Sequence, residues 1–144
     1  MKNRSKHPRI RPVCFFNDIR TRGIDGKGAP DKILQLPAEL FPSAEFAAYC
    51  HSDELAPYIP SGAILFMKES PEEIVSKMIY YVETERLHAV MIAEETDVWG
   101  VYRLRTYNHE KEPVYILSSE IRVKYLVVGS CKDVSALEPY GMNE

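Results

Sequence analysis

The stretch His51-Ser52-Asp53-Glu54-Leu55-Ala56-Pro57-Tyr58-Ile59-Pro60-Ser61-Gly62-Ala63-Ile64-Leu65-Phe66 decides how this chain is read. Two prolines and a glycine punctuate it, which marks a loop with set turns. Apolar runs bracket that loop: Glu45-Phe46-Ala47-Ala48-Tyr49-Cys50 leads in, and Ala63-Ile64-Leu65-Phe66-Met67 leads out. Runs this short and this apolar read as strands. Asp53 and Glu54 are adjacent, so on an extended segment they face opposite ways and cannot act as a catalytic pair. Ser52 reads as a turn or cap serine, with a nucleophile as the alternative.

The same pattern repeats on both sides of the loop. Upstream, Val13-Cys14-Phe15-Phe16 is a strand, and Ile33 to Phe41 leads through a turn into the next one. Downstream, Lys77–Glu83 and His88–Ala93 flank Thr84-Glu85-Arg86-Leu87 as a hairpin. Val98–Tyr107, Val114–Leu117 and Arg122–Gly129 are further strands, with Gly100 at a bulge or close approach. Pro71-Glu72-Glu73-Ile74-Val75 reads as one helical turn. Many short strands rich in Tyr, Val and Ile predict an all-β, partly closed barrel with short helical turns. The chain divides into a basic arm over 1–12, a β domain over 13–132 and a tail over 133–144. Three glycines and a proline make 20–30 a flexible loop.

The His51–Phe66 stretch resembles the nucleophile segment of the LexA-like serine peptidases, the self-cleaving repressors and UmuD-type mutagenesis proteins. Their pattern is Gly-Asp-Ser-Met-x-Pro-x-Ile-x-x-Gly-Asp before an apolar strand. Pro57, Ile59 and Gly62 match it, Leu55 replaces the Met and Ala63 the final Asp. The Ser stands eight residues before the second Gly, which places Glu54 at the nucleophile position. Using Ser52 instead needs two extra residues before Pro57, and strand register tolerates slips poorly. The family's general base is a Lys in a Val-Lys-Arg-Leu strand; Val101-Tyr102-Arg103-Leu104 matches it and puts Tyr102 at that position. A phenol with an ordinary pKa near ~10 is a poor substitute for a lysine whose pKa burial has lowered. Neighbouring Arg103 points to the other face and does not deprotonate. The cleavage dipeptide, Ala-Gly or Cys-Gly, is missing from 20–30, where Gly28-Ala29 runs in reverse order.

The resemblance therefore implies a LexA/signal-peptidase-like fold without peptidase chemistry, acting by protein–protein association in transcriptional, phage or DNA-damage regulation. On the inherited geometry Glu54 and Tyr102 would face each other, the phenol donating to the carboxylate. A homodimer is expected, with the apolar stretch Val123, Tyr125, Val127, Gly129 and Cys131 at its interface, since an exposed apolar edge strand needs covering. An active relative is an alternative partner. The rival reading is an active peptidase pairing Ser52 with a lysine such as Lys77 or Lys124.

Charge and composition narrow the rest. The chain has 144 residues, 45% hydrophobic and 27% charged, with a net charge of −3. Residues 1–32 carry nine Lys/Arg against three acids, and the remainder nine against eighteen. Lys2, Arg4, Lys6, Arg9 and Arg11 could touch a phosphate backbone, the third reading, although the plainer one is a solvated terminus. The acidic remainder argues against an extended nucleic-acid surface. No apolar run approaches the ~20 residues of a membrane span, so a cytoplasmic protein without membrane contact is expected. Cys14, Cys50 and Cys131 are odd in number and widely spaced, and His7, His51, His88 and His109 are scattered. That pattern implies neither a metal nor any other cofactor.

Overall fold

The computed structural model describes residues 9–108 and 110–132, with 142–143 as backbone only. In chain order the strands are β1 (Ile10–Phe16), β2 (Lys32–Pro37), β3 (Phe46–Tyr49), β4 (Ile64–Glu69), β5 (Met78–Glu83), β6 (His88–Glu95), β7 (Val101–Arg105), β8 (Val114–Leu117), β9 (Val123–Cys131) and β10 (Met142–Asn143). Two 3-10 turns, Ile19–Arg22 and Ser118–Glu120, complete the elements. The expected all-β class is observed. The strands make one sheet in the order β10-β2-β1-β3-β4-β9-β5-β6-β7-β8, with β1 and β3 parallel and the other pairs antiparallel. The sheet is not closed; β10 and β8 end it.

Its central strands are buried on both faces, which is why they read as unbroken apolar runs rather than alternating ones. On β4, Leu65 and Met67 enter one cluster with Phe46, Tyr81, Val90, Ile92 and Tyr125. Ile64 and Phe66 enter a second with Val13, Phe15, Leu34 and Leu36. On β5, Tyr81 joins the first cluster, while Tyr80 and Val82 join a third with Met91, Tyr102, Leu104 and Ile116. The β5–β6 hairpin pairs Glu83 with His88, and Thr84 Oγ1 accepts from the Arg86 and Leu87 amides to set the turn.

Three sequence expectations need correction. First, β9 is no edge strand: it lies between β4 and β5 and pairs with both. Val123, Tyr125 and Val127 are core residues, and the ring of Phe41 lies so close over Gly129 that a Cβ there would meet it at 2.2 Å. These positions cannot form a dimer interface; Cys131, half-buried at the end of β9, pairs with Ile64 of β4. Second, Pro71–Val75 forms no helical turn. The Tyr80 hydroxyl accepts from the Val75 amide and Ile74 is drawn into the third cluster, which holds the segment extended. Third, β1 starts at Ile10, inside the stretch read as an arm. Arg11 donates to the carbonyls of Ala44 (2.8 Å) and Phe41 (2.6 Å), so its guanidinium holds the turn before β3 rather than standing ready for phosphate. Lys2, Arg4 and Lys6 lie outside the described residues, as do His7, His109 and residues 133–141 of the tail; Arg9 is exposed.

An ion triad joins β6 to β7. Glu94, nearly inaccessible, takes Arg103 Nη2 at 2.7 Å on one oxygen and Arg105 Nε at 3.0 Å on the other. Burial alone would raise the Glu94 pKa; the hydrogen bonds and charges of Arg105 and Arg103 outweigh it and hold the carboxyl below its usual range. A depressed folded pKa contributes stability above the unfolded value, and that contribution is lost as pH falls through the folded one. We therefore expect Glu94→Gln to lower the urea midpoint at neutral pH. The difference from the parent chain should shrink steadily below about pH 4.3, the ordinary Glu value. A pH-independent difference would show that the charge is not what matters.

Candidate functional site

The loop between β3 and β4 is pinned at its base and by two apolar side chains. The Cys50 amide donates to Ala63 O at 2.7 Å and the Gly62 amide to Cys50 O at 2.7 Å, so the strand ladder closes across the neck. Inside it, the Ile59 amide reaches Leu55 O at 2.9 Å and the Ala56 amide reaches Asp53 O at 3.1 Å. Leu55 is fully buried and Ile59 nearly so, both in the cluster of Leu65, Met67 and Tyr81. Gly62 turns the chain at φ +95°, a conformation side chains disfavour. Pro57 is exposed, and the Tyr58 ring meets that of Tyr107 at a tilt, centroids 4.4 Å apart. The Leu55, Pro57, Ile59, Gly62 pattern is thus a shape-setting device.

Beside this loop lies a cavity of about 220 Å³. Ile19, Leu65, Met67, Tyr81 and Val90 supply its apolar walls; Asp18, Arg20, His51, Ser52 and His88 add polar groups. Ser52 is half-buried, and its hydroxyl shares a hydrogen bond with the Cys50 thiol, with Sγ 4.0 Å from Oγ. His51 Nε2 lies 2.6 Å from the carbonyl of Asn17, so this nitrogen carries the proton and donates it. Tyr81 is a poor base: burial, then its hydrogen bond to Glu83, push the phenol far above its ordinary pKa.

The positions assigned to the dyad do not meet. The loop does touch the extension of β7, where the Tyr107 amide donates to Glu54 O at 3.0 Å. Side-chain alternation then separates them. Tyr107 lies with the first cluster, where Leu55 and Ile59 sit, whereas Tyr102 points into the third, with Ile74, Leu104 and Ile116. Burial and the carboxylates of Glu73 and Glu95 raise the Tyr102 pKa. Among the described residues the Glu54 carboxylate makes no hydrogen bond or ion pair. The expected phenol–carboxylate bond is therefore absent. Strands β3 to β6 wall the cavity, and β6 contributes His88, Ala89 and Val90 to it.

The rival pairing fares no better. Neither Lys77 nor Lys124 lines the cavity that holds Ser52. Lys77 is exposed. Burial lowers the Lys124 pKa, yet Lys124 Nζ donates to the carbonyl of Glu72, in a separate hollow lined by Tyr102 and Ser70. No group of three His, Cys, Asp or Glu side chains among the described residues could hold a metal ion.

Sequence reading missed two groups near this site. Ile19 and Arg20 come from the segment entering the 20–30 loop, and only their closeness to a wholly apolar strand could have hinted at a wall. Arg22 follows them. Its side chain stacks over Phe46 at 3.9 Å and donates to Tyr125 Oη and Glu69 Oε2, both at 2.8 Å.

If the motif sets shape only, its variants should rank by packing and backbone strain. We expect Leu55→Ala to cost about 2–5 kcal/mol as a large-to-small core change. Gly62→Ala, with open space around it but a positive φ, should cost about 1–2 kcal/mol. Ser52→Ala should change stability by less than about 0.5 kcal/mol. Urea denaturation of the three variants checks the order.

No protein-family model matches the chain, and no curated protein matches it at a significant level.

Proposed function

We propose that this chain is a LexA-like β domain that has lost peptidase chemistry and acts by associating with other protein chains. One observation carries this reading. The cavity beside the motif loop holds Ser52 but no lysine. Acyl transfer by a serine needs a neutral base within hydrogen-bond reach, about 2.6–3.2 Å or one water away. Among the described residues the one side chain hydrogen-bonded to Ser52 Oγ is the Cys50 thiol, Tyr81 donates to Glu83, and neither His51 nor His88, which share the cavity, is hydrogen-bonded to the serine.

What remains is a mostly apolar hollow with a few polar groups, the composition of a site that holds a ligand or a side chain. Partners of the kind implied are a second copy or an active relative whose cleavage or DNA occupancy this domain alters. Transcriptional, phage or DNA-damage regulation follows from the resemblance alone. Direct DNA binding is the weaker reading, because Arg11 is committed within the fold and the body of the chain is acidic. No helix among the described residues is long and apolar enough to cross a membrane.

The test is integrity. The full chain, incubated at alkaline pH or with an activated recombinase filament, should stay intact by mass spectrometry. Specific cleavage between Arg22 and Pro30 that disappears in Ser52→Ala would overturn the non-catalytic reading.

A further inference from the structure

The cavity beside the motif loop, about 220 Å³, is divided between a buried floor and an exposed mouth. Leu65 and Met67 of β4, Tyr81 of β5 and Val90 of β6 make the floor, all buried. Asp18, Arg20, His51 and His88 stand at the mouth, all exposed. A space arranged in this way suits a molecule with an apolar body and a polar head. Volume sets its size. An apolar cavity of about 150 Å³ takes a benzene ring, so this one has room for a ring or branched chain of that size and a short polar arm.

The mouth selects the head. Arg20 is the one side chain there with a permanent positive charge, and among the described residues its guanidinium makes no hydrogen bond or ion pair. Asp18 is the one acid lining the cavity, and it caps its own turn, Oδ1 accepting from the Arg20 amide at 2.9 Å. Beyond burial and the Glu83 bond, which dominate, the Tyr81 phenol feels Arg20 more strongly than Asp18. The guanidinium is therefore the mouth charge nearer the buried floor. A free guanidinium is a planar fork of donors that matches a carboxylate with two parallel hydrogen bonds. Tyr81 adds no donor, because its proton is held by Glu83.

The walls are set before anything enters. Asp18 O accepts from the Thr21 amide at 2.9 Å, which closes the turn carrying Ile19 and Arg20. His51 Nε2, 2.6 Å from the carbonyl of Asn17, ties the start of that turn to the motif loop. Ile19 is buried in the same cluster as Leu65 and Met67. A site that is already shaped loses little entropy on filling.

We propose that this cavity binds a small carboxylic acid with an aryl or branched-alkyl body, its carboxylate on Arg20 and its apolar part over Met67, Tyr81 and Val90. This rests on the reading of the domain as a non-catalytic binder, and it names the chemistry of what the hollow holds.

Phenylacetate is the probe, with phenylacetamide and phenethylamine as its neutral and cationic counterparts. Each should be titrated into the full chain at neutral pH and followed by calorimetry and by methyl NMR. The expected result is binding of phenylacetate, with the methyl resonances of Ile19, Leu65, Met67 and Val90 shifting along one isotherm. The amide should bind about tenfold more weakly and the amine more weakly still, since a hydrogen bond between charged groups is lost. Arg20→Gln, an exposed change, should weaken the acid about tenfold and leave the amide unchanged, a split that a merely structural role of Arg20 would not produce. An amide or amine that binds as tightly as the acid overturns the anionic head, and tight amide binding gives the hollow to an apolar side chain of a partner instead. No binding of any of the three up to about 10 mM overturns the cavity as a ligand site. Shifts confined to other residues overturn the location. None of these outcomes bears on the integrity test above, which alone decides whether the chain cuts itself.

Discussion

The fold depends on the insertion of β9 between β4 and β5. Without it the sheet is two pieces: β10, β2, β1, β3 and β4 on one side, and β5 to β8 on the other. β4 and β5 are neighbours in sequence yet never pair; each is hydrogen-bonded instead to β9, far along the chain. Tyr125 is the centre of that joint. Its ring stacks against Tyr81 of β5 at 5.7 Å and meets Phe46 of β3 edge-on at 4.7 Å, and its hydroxyl accepts a hydrogen bond from Arg22. A contact this distant in sequence closes a long loop before it stabilises anything, so the fold as a whole is of the slow, non-local kind.

The strands themselves were legible because they are apolar on both faces. Phe46–Tyr49, Ile64–Met67, Ile79–Val82 and Val90–Ala93 are runs that only a doubly buried strand accounts for, given their length. What such runs conceal is neighbourhood. The apolar content of Tyr125–Val128 is the same whether the strand is central or at an edge, and the edge reading was wrong. An alternation of side chains also fixes two faces without saying which cluster each face meets. That is why Tyr102, assigned to a cleft with Glu54, turned out to fill the opposite side of the sheet. Arg11 was misread for a related reason: its charge suggested solvent, whereas the carbonyls that claim it belong to residues some thirty positions away.

A related argument explains how the loop can hold its shape whatever its chemistry. Leu55, Ile59 and Gly62 preserve the loop through burial and backbone angle, and neither property depends on a nucleophile. Selection on shape and selection on reactivity act on different atoms here. Val90 and the Tyr81 ring add apolar wall to the cavity, where a lysine without a partner would carry a desolvation cost. On the LexA-like reading, losing the dyad removes groups that burial disfavours and leaves the recognition surface intact.

The 20–30 loop carries that argument furthest. By composition it is flexible, and in self-cleaving relatives such a segment is the substrate. Its glycines serve closeness instead. The Gly28 amide donates to Arg22 O at 2.7 Å, folding the loop back on itself. Arg22 is then held by two hydrogen bonds, one of them within an ion pair with Glu69, and by two aromatic faces, Phe46 and Tyr125. Four partners on one side chain outweigh the entropy of a short loop. The segment just before it brings Ile19 and Arg20 against the cavity, so a region that could have been a mobile substrate is a fixed wall. A peptidase that cuts its own chain must let that chain enter and leave; on the reading proposed above, a domain that associates gains from holding it still.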